Sequence, residues 1–447
     1  MRHRLTVLKR ALASSGIRRV EVAFLGFGIA EFGVWVAVLV YAFQRGGATA
    51  SALIAAIQLL PAAFVAPLAA RLIEIRGAPS VLLGGYLAQA ASIAATAVLL
   101  AVGAPAAFVY AGAVIAASAV TVTRPAQAAL LPALVDTPAQ LTAANVLSGW
   151  VESVALLAGP GIASVMLALG GPSAALALFA IVVSGSAGLV LPLRALATGG
   201  GAGDGEDDGV ASASSLVEAL RAAPGAIPAL GMLGAEYAAL GALDVLEVVL
   251  AASVLGLGAS GAGYLGAMFG AGAIAGAGAA VALVGRHRLA LPLLLSAVLW
   301  GAAFSLIGAW PAVGVAFCLL ALAGATRSVL DVGGRTILHR TVPRELHGRV
   351  FGVLEGLEML GLAVGSLAVP VVVGLAGPRG AMVVFGSVLI VVPLLTTRTL
   401  RAIDRAMPAL DQELEMLRGF PLFAMLGPPC SRTSPGRWSA WRHPPTR

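Results

Sequence analysis

Long apolar runs separated by short polar connections make up most of this 447-residue chain. An α-helix needs about 20 mostly apolar residues to cross a lipid bilayer, and twelve of these runs are close to that length. Helices are predicted rather than strands, because lipid cannot satisfy exposed backbone polar groups and the runs are too long for barrel strands. The runs cover about 20–43, 50–72, 79–102, 105–123, 146–169, 173–193, 227–251, 261–284, 289–309, 312–333, 350–376 and 380–397.

The composition excludes a water-soluble fold. Hydrophobic residues make up 59% of the chain, charged residues make up 11%, and the mean hydropathy is +0.96, whereas soluble domains carry roughly 25% charged residues. The formal net charge of +7 is almost wholly due to arginine, because Lys9 is the only lysine. Cys318 and Cys430 stand far apart in sequence, and we infer neither a disulfide framework nor a metal site from them.

The positions of the basic residues predict the orientation of the helices. With the N-terminus in the cytoplasm, 25 of the 28 arginine and lysine residues fall in cytoplasmic segments. Arg45 and Arg379 fall in outer loops, and Arg327 falls inside the tenth run. Since cytoplasmic loops are enriched in Lys and Arg, this bias predicts a multi-pass protein of the inner (plasma) membrane with both termini in the cytoplasm. Orientation therefore accounts for the basic charge, and nucleic-acid binding is not expected.

The chain is expected to consist of five segments. Residues 1–19 form a basic cytoplasmic N-terminus, 20–194 form a first six-helix half, and 227–397 form a second one. Between the halves, residues 195–226 are rich in glycine and acidic residues, a composition that cannot build a core and predicts a flexible cytoplasmic linker. Residues 398–447 form a cytoplasmic tail.

The two halves carry a repeated pattern about 205 residues apart. Pro138 and Pro343, after the fourth and the tenth run, each precede a leucine by three residues. The helix that follows ends at 170-GGP-172 in one half and at 376-AGP-378 in the other. Duplicated six-helix halves are a known plan of membrane transporters, with the substrate site near the midplane between them. The predicted fold class is an all-α membrane protein with twelve transmembrane helices in two pseudo-symmetric halves.

Residues 124–164 carry a family resemblance. Arg124 precedes the Ala/Leu/Pro-rich segment 128-AALLPALV-135, and Ala144–Asn145 opens the fifth helix. Together with the twelve helices, the linker and the repeat, this segment resembles the major facilitator superfamily, and most closely its exporters related to siderophore and macrolide efflux proteins. In that group a Gly-Pro pair followed by two small residues in the fifth helix is associated with export. Gly159–Pro160 fits this pattern, while Ala163–Ser164 stands in place of the usual glycine pair. The proline is expected to kink the helix, and the alternative to an export motif is an ordinary kink in a tightly packed helix.

A second family motif is only partly present. The superfamily carries G-x-x-x-D-R-x-G-R between its second and third helices, and its acid helps to latch the inward-closed state. Here 66-APLAARLIEIRGAP-79 keeps Arg71 and Arg76 but has Ala70 at the position of the acid. The resemblance therefore assigns Arg71, Arg76 and Arg124 to gating or structural roles, with an incomplete latch.

Three carboxylates interrupt the seventh apolar run, 232-MLGAEYAALGALDVLEVVL-250. On an α-helix Glu236 and Asp244 are about 80° apart and Glu236 and Glu247 about 20° apart, so all three share one face. A charge at the centre of a bilayer costs about 2.5–3.5 kcal/mol, and such residues face a water-filled cavity or a partner. We therefore expect the three acids to face a water-accessible path, with Glu247 at a hydrated outer rim.

Glu31 lies near the midpoint of the first run, and in the superfamily the first, fourth, seventh and tenth helices line the central cavity. Glu31, Glu236 and Asp244 are therefore candidates for proton coupling or for binding a cationic group of the substrate. The alternative for Glu31 is a structural contact with another helix. A carboxylate in a partly dry site binds a proton more readily than one in water, as reversible protonation near neutral pH requires.

Other charged and small residues are expected to serve structure. Arg327 and Asp331 are four residues apart on the tenth helix and could pair along one face, as gate or scaffold. Three further acids, Glu152, Glu355 and Glu358, are expected to meet arginines, with Arg335, Arg340 and Arg349 as candidates. The glycines at 266, 270, 272 and 276 fit close helix packing. The stretch 256-GLGASG-261 lacks the preceding strand of a dinucleotide site, and His339, Glu345 and His347 lack zinc-ligand spacing.

The tail carries one more resemblance. Residues 410-LDQELEMLRGFPLFAMLGPP-429 resemble the opening of a cyclic-nucleotide-binding domain, to which some transporters of this type are fused. The rest of that domain is missing, so the tail is interpreted as a vestige, with a chance resemblance as the alternative. No cyclic-nucleotide binding is expected.

These observations predict a secondary active transporter that exports a small organic molecule by proton-coupled alternating access. There is no ATP-binding loop of the G-x-x-x-x-G-K-[ST] type and no catalytic constellation, so we expect no enzyme activity, no cofactor and no bound metal. The expected partners are a small-molecule substrate, protons and the lipid bilayer. The alternatives are a proton-coupled importer of the same fold, a non-transporting membrane sensor, or an inactive truncated product.

Overall fold

A computed structural model describes residues 14–135, 138–193, 226–280, 288–342 and 346–406. Within these ranges the backbone forms α-helices, short 3₁₀ turns and connecting turns, and it contains no β-strand. The all-α prediction is therefore confirmed. The predicted basic N-terminus and linker lie almost wholly outside the described residues, as does the tail segment interpreted as a domain vestige.

Twelve helices can be traced through the described residues. Three continuous stretches each contain two of them: Ser15–Arg76 is broken at Gly46 and Gly47 into α1 (15–45) and α2 (48–76), Pro138–Val190 at Gly171 into α5 (138–170) and α6 (172–190), and His347–Ala406 at Gly377 into α11 (347–376) and α12 (378–406). The others are α3 (Ala78–Ala101), α4 (Ala106–Leu130), α7 (Ala226–Ser253), α8 (Ala262–Ala280), α9 (Ala290–Ala309) and α10 (Val313–Thr341).

The apolar lengths of these helices make the chain an integral, multi-pass membrane protein. Eight helical stretches are long and apolar enough to cross a bilayer, and three of them, Ser15–Leu59, Ala143–Leu193 and Val350–Ala402, are long enough for two crossings each. Large apolar side chains remain exposed on the outside of the bundle, including Leu375 at 85% and Leu169 at 76%. Lipid can cover such side chains, whereas a soluble monomer rarely exposes so much apolar surface.

The repeat predicted from sequence appears as two equivalent helix breaks. Gly171 and Gly377 are 206 residues apart, each has a φ of 72°, and each precedes a proline that begins the next helix. A positive φ favours glycine because glycine has no Cβ. Proline suits the first turn of a helix because a backbone N–H at that position would have no partner within the helix, so its absence costs nothing. The pseudo-symmetric arrangement of two six-helix halves is confirmed.

The bundle has two faces. The terminal face holds the helix ends near residues 15, 138, 226 and 406, and the opposite face holds the breaks at Gly47, Gly171 and Gly377. The halves meet along a seam where α5 packs on α8 toward the opposite face. There the Ser164 hydroxyl donates a hydrogen bond to the Ser260 carbonyl at 2.5 Å.

Glycines allow this close packing, as the sequence predicted. A Cβ on Gly270 would lie 2.6 Å from the Leu156 carbonyl oxygen of α5. On other sides of α8, a Cβ on Gly272 or Gly276 would meet the backbone of α10. These glycines thus allow α8 to pack closely against two neighbouring helices, one in each half.

Gly159 is a second packing point, and it predicts a measurable cost. A Cβ at this position of α5 would lie 2.7 Å from the Ile29 carbonyl oxygen and 2.9 Å from Phe32 Cβ on α1. Gly159→Ala is therefore expected to destabilise the protein by about 1–3 kcal/mol through overpacking. The apparent melting temperature of the purified protein in detergent measures this effect. Gly149→Ala on the same helix, where a Cβ meets no atom within 4 Å, is the matched control; equal melting temperatures for the two variants would contradict the prediction.

Candidate functional site

In the first half, one arginine of α4 holds two carboxylates from neighbouring helices. Arg124 Nη2 donates to Glu31 Oε2 of α1 at 2.8 Å, and Arg124 Nη1 donates to Glu152 Oε1 of α5 at 2.9 Å. The three side chains keep 35%, 20% and 48% of their exposure, respectively. A partly hydrated ion cluster therefore lies inside a helix bundle, where charges are rare unless they are paired or face water.

In the second half, an arginine of α10 approaches a carboxylate of α7. Arg327 Nε lies 3.3 Å from Glu236 Oε1, and the Glu236 side chain has no exposed surface. The N–H of Arg327 does not point at the carboxylate, and neither oxygen of Glu236 accepts a hydrogen bond from the described residues. A buried carboxylate with so few partners is costly in its charged form.

These two contacts are related by the internal repeat. Glu31 and Glu236 are 205 residues apart, and Arg124 and Arg327 are 203 apart. Both pairs join the first helix of a half to its fourth helix. The duplicated contact differs in one respect, since Arg124 hydrogen-bonds Glu31 whereas Glu236 lies dry and unsatisfied. The two halves thus present the same residue types in different states of solvation.

A larger ion cluster surrounds Arg335 on α10. Its guanidinium donates to Asp331 Oδ1 at 3.0 Å, to the Tyr237 hydroxyl at 2.9 Å and to Glu358 Oε2 at 3.2 Å, and it also lies 3.5 Å from Glu355 Oε1. Glu358 lies 206 residues after Glu152, so the repeat extends to the eleventh helix.

The Arg335 cluster corrects one expected partnership. Asp331 forms its ion pair with Arg335, whereas Arg327 pairs with Glu236. An acid placed four residues before a base on a helix is the favoured order, and Asp331–Arg335 has it whereas Arg327–Asp331 has the reverse. The expected arginine partner of Glu355 and Glu358 is confirmed as Arg335, but the partner of Glu152 is Arg124 rather than one of the three candidates.

The remaining acids of α7 do not lie at a hydrated rim. Glu247 is only 7% exposed and Asp244 is half-buried. Asp244 accepts a hydrogen bond from the Trp35 indole of α1, in the other half. A Cβ on Gly266 of α8 would lie 2.9 Å from Glu247 Oε2. The expectation of a hydrated rim for Glu247 is wrong, because Gly266 of α8 packs against this end of α7.

The other predicted residues are distributed over the bundle. Arg71 and Arg76 are exposed near the terminal end of α2, and in the described part of the chain neither forms an ion pair. Gly159 and Pro160 lie where α5 passes between α1 and α8, because Gly159 faces Ile29 and Pro160 faces Gly263 and Gly266. The Gly-Pro pair therefore sits in the seam, while the two arginines of the loop motif stay apart from it.

One buried carboxylate was missed from the sequence. Glu21 of α1 is 3% exposed, and its Oε1 accepts a hydrogen bond from the Ser148 hydroxyl of α5 at 2.6 Å. Its Oε2 and the Tyr86 hydroxyl of α3 have no hydrogen-bond partner among the described residues. Glu21 lies two residues after Arg19, at the start of an apolar run. That position is typical of a charged helix end, and only the contact with α5 shows that the side chain points inward.

Comparisons with known proteins agree with this architecture. Residues 225–445 match the family model of the Major Facilitator Superfamily. A crystal structure of a POT family transporter in complex with a thioalcohol conjugated peptide has a TM-score of 0.71 and 12% identity, covering 87% of this chain and 96% of that one. A second, of a POT family transporter in complex with 5-aminolevulinic acid, has a TM-score of 0.72 and 12% identity with the same coverage. A search of curated proteins found no match.

The fold is therefore that of the major facilitator superfamily, as the sequence resemblance implied. The prediction that the chain is not an enzyme is also confirmed, because the family match and the fold are those of transporters. At 12% identity the likeness to the solved structures establishes the fold alone. The closer resemblance to siderophore and macrolide exporters stays a prediction.

Proposed function

We propose that this chain, built on the major facilitator fold, is a secondary active transporter that exports a small organic molecule in exchange for protons. The observation that carries the proposal is the repeated contact Glu31–Arg124 and Glu236–Arg327, one in each half. Ionisable residues within membrane helices mark substrate paths and proton relays. In transporters built from two halves, substrate binds near the midplane between them.

The difference between the two contacts suggests a division of roles. Arg124 compensates Glu31 with a hydrogen bond while both side chains stay partly exposed, which suits contact with a substrate. Glu236 has no exposed surface and no hydrogen bond. Binding a proton removes the cost of its buried charge, so we assign Glu236 as the main proton site.

The seam supports an alternating-access cycle. Toward the opposite face it is closed by the Ser164–Ser260 hydrogen bond and the Trp35–Asp244 contact. Nearer the terminal face, Glu152 and Glu355 keep 48% and 62% of their side-chain exposure. With the arginine bias placing the terminal face in the cytoplasm, this arrangement corresponds to an inward-open state.

The charges around the two clusters favour a cationic substrate. Three guanidinium groups are accompanied by six carboxylates: Glu31, Glu152, Glu236, Asp331, Glu355 and Glu358. Protonation removes part of this excess negative charge, and a positively charged group on the substrate would offset the rest. Substrate and proton would then compete for the same charge, which is the basis of exchange.

Export rather than import rests on the Gly159–Pro160 pair and the resemblance that it carries; import by the same fold is the alternative. Everted membrane vesicles with an acidic lumen distinguish them, because an exporter loads such vesicles. We expect proton-driven uptake of a positively charged compound to exceed that of its neutral and anionic analogues. Proton-driven uptake by right-side-out vesicles alone would favour the importer, and no proton-driven uptake in either orientation would contradict coupling.

A further inference from the structure

Asp244 and Glu247 form a second acidic site, separate from the clusters around Arg124 and Arg335. They lie on α7 beyond Glu236, toward the opposite face, and are three residues apart on the same side of the helix. Glu247 is 93% buried, and no hydrogen-bond donor or cation among the described residues contacts its carboxylate. Asp244 has the Trp35 indole as its hydrogen-bond partner.

The helices packed against this pair offer almost no compensating charge. From α1 comes the uncharged Trp35, and from α8 and α5 come Gly266 and Pro160, which flank Glu247. The cation that acts on Asp244 is Arg327 of α10, and Arg327 already lies against Glu236. One guanidinium thus serves two carboxylates of α7, and among the described residues Glu247 has no cation of its own in this closed, mostly dry seam.

Closing the seam with all three carboxylates charged would bury excess negative charge, which costs several kcal/mol for each uncompensated ion. When the seam opens, water can reach Asp244 and Glu247 and stabilise their charges. Closure is therefore favoured once a proton from external water binds to a carboxylate oxygen of the pair. Glu236 lies eight residues deeper on the same helix and is not needed for this step.

We propose that Asp244 and Glu247 form an outer proton-loading site that must bind a proton before the halves close toward the outside. This inference rests on the proposed alternating-access cycle, because closure of the seam is one step of it. It links proton binding at the pair to closure of the seam: the empty carrier returns to the inward-open state only when it brings a proton. After closure the proton passes from this pair along α7 to Glu236, which releases it on the cytoplasmic side.

Cysteine accessibility at Ser164 tests this directly, because Ser164 has no exposed surface in the closed seam. After replacement of Cys318 and Cys430 by serine, Ser164→Cys is labelled in intact cells with a membrane-impermeant maleimide. The labelling rate is divided by that of a free thiol at the same pH, because the thiolate is the reacting species. We expect this corrected rate to be about tenfold slower at about pH 5.5 than at about pH 8.5, because protonation closes the seam. Glu247→Gln, which imitates the protonated acid, is expected to label slowly at both pH values.

The controls separate this inference from the proposed function. Glu74→Gln replaces an exposed acid of α2 far from the seam and is expected to retain the pH response. Asp244→Asn tests the same pair independently, including the case in which Glu247→Gln does not accumulate in the membrane. An unchanged pH response in both Glu247→Gln and Asp244→Asn would overturn the proton-loading site, even where wild-type vesicles show proton-driven transport. A lost pH response in these variants, without proton-driven transport by the wild type, would support the site and overturn the proposed function. If replacing external Na⁺ by choline opens the seam at constant pH, the pair holds sodium and the proton assignment fails.

Discussion

Glu236→Gln is expected to abolish the response of transport to a proton gradient. The carboxamide cannot bind and release a proton, yet it keeps the size of the buried side chain beside Arg327. Gradient-driven uptake into everted vesicles should fall at least about tenfold, the change that about 1.4 kcal/mol of lost driving force produces. Exchange of labelled for unlabelled substrate without a gradient should persist, because the seam can still open and close.

Glu31→Gln is the informative comparison for this variant. Arg124 keeps Glu152 as a partner when Glu31 loses its charge, so weaker substrate binding with a retained response to pH is expected. Glu74→Gln controls for loss of an exposed acid elsewhere. If Glu236→Gln and Glu31→Gln both transport with the pH dependence of the wild type, the coupling role of these two acids is refuted.

Arg335→Met is expected to destabilise the second half strongly. It leaves Asp331, Glu358 and Tyr237 without their shared donor. Breaking a fully buried pair costs about 3–5 kcal/mol. Because Asp331 and Glu358 keep 26% and 24% of their exposure, we expect about 2–3 kcal/mol. The apparent melting temperature in detergent should fall by about 5 °C.

Two further substitutions can show that the effect is electrostatic. Arg335→Met combined with Glu358→Gln and Asp331→Asn removes the uncompensated charges, and at least half of the lost melting temperature should return. Arg398→Met, at an exposed position of α12, is the control for loss of one arginine. Failure of the triple variant to recover would show that the aliphatic part of Arg335, rather than its charge, stabilises these helices.

The twelve helices could be predicted because hydropathy is a local property that lipid makes decisive. The same holds for the breaks at Gly171 and Gly377, since the glycine and the proline after it impose the change of direction themselves. Even the equivalence of Glu31 and Glu236 is visible in the spacing of the repeat. These features depend on residues close together in the chain or on a constant offset between the halves.

Partners across helices could not be predicted in the same way. Arg327 was expected to pair with Asp331, yet it lies against Glu236 on another helix, and spacing along α10 carries no information about α7. Burial of Glu247 depends on how closely α8 approaches, which Gly266 permits but does not specify. Glu21 was overlooked for a related reason, because its neighbours in sequence are basic while its partner lies on α5.

The short connections on the opposite face have a practical consequence. Helices α1 and α2 are separated by Gly46 and Gly47, α5 and α6 by Gly171, and α11 and α12 by Gly377. The longest interval between helices on that side of the described chain, 254–261, has only eight residues. Antibodies, nanobodies and proteases need accessible loops to bind or cleave. Affinity reagents for purification or imaging are therefore best raised against the terminal face.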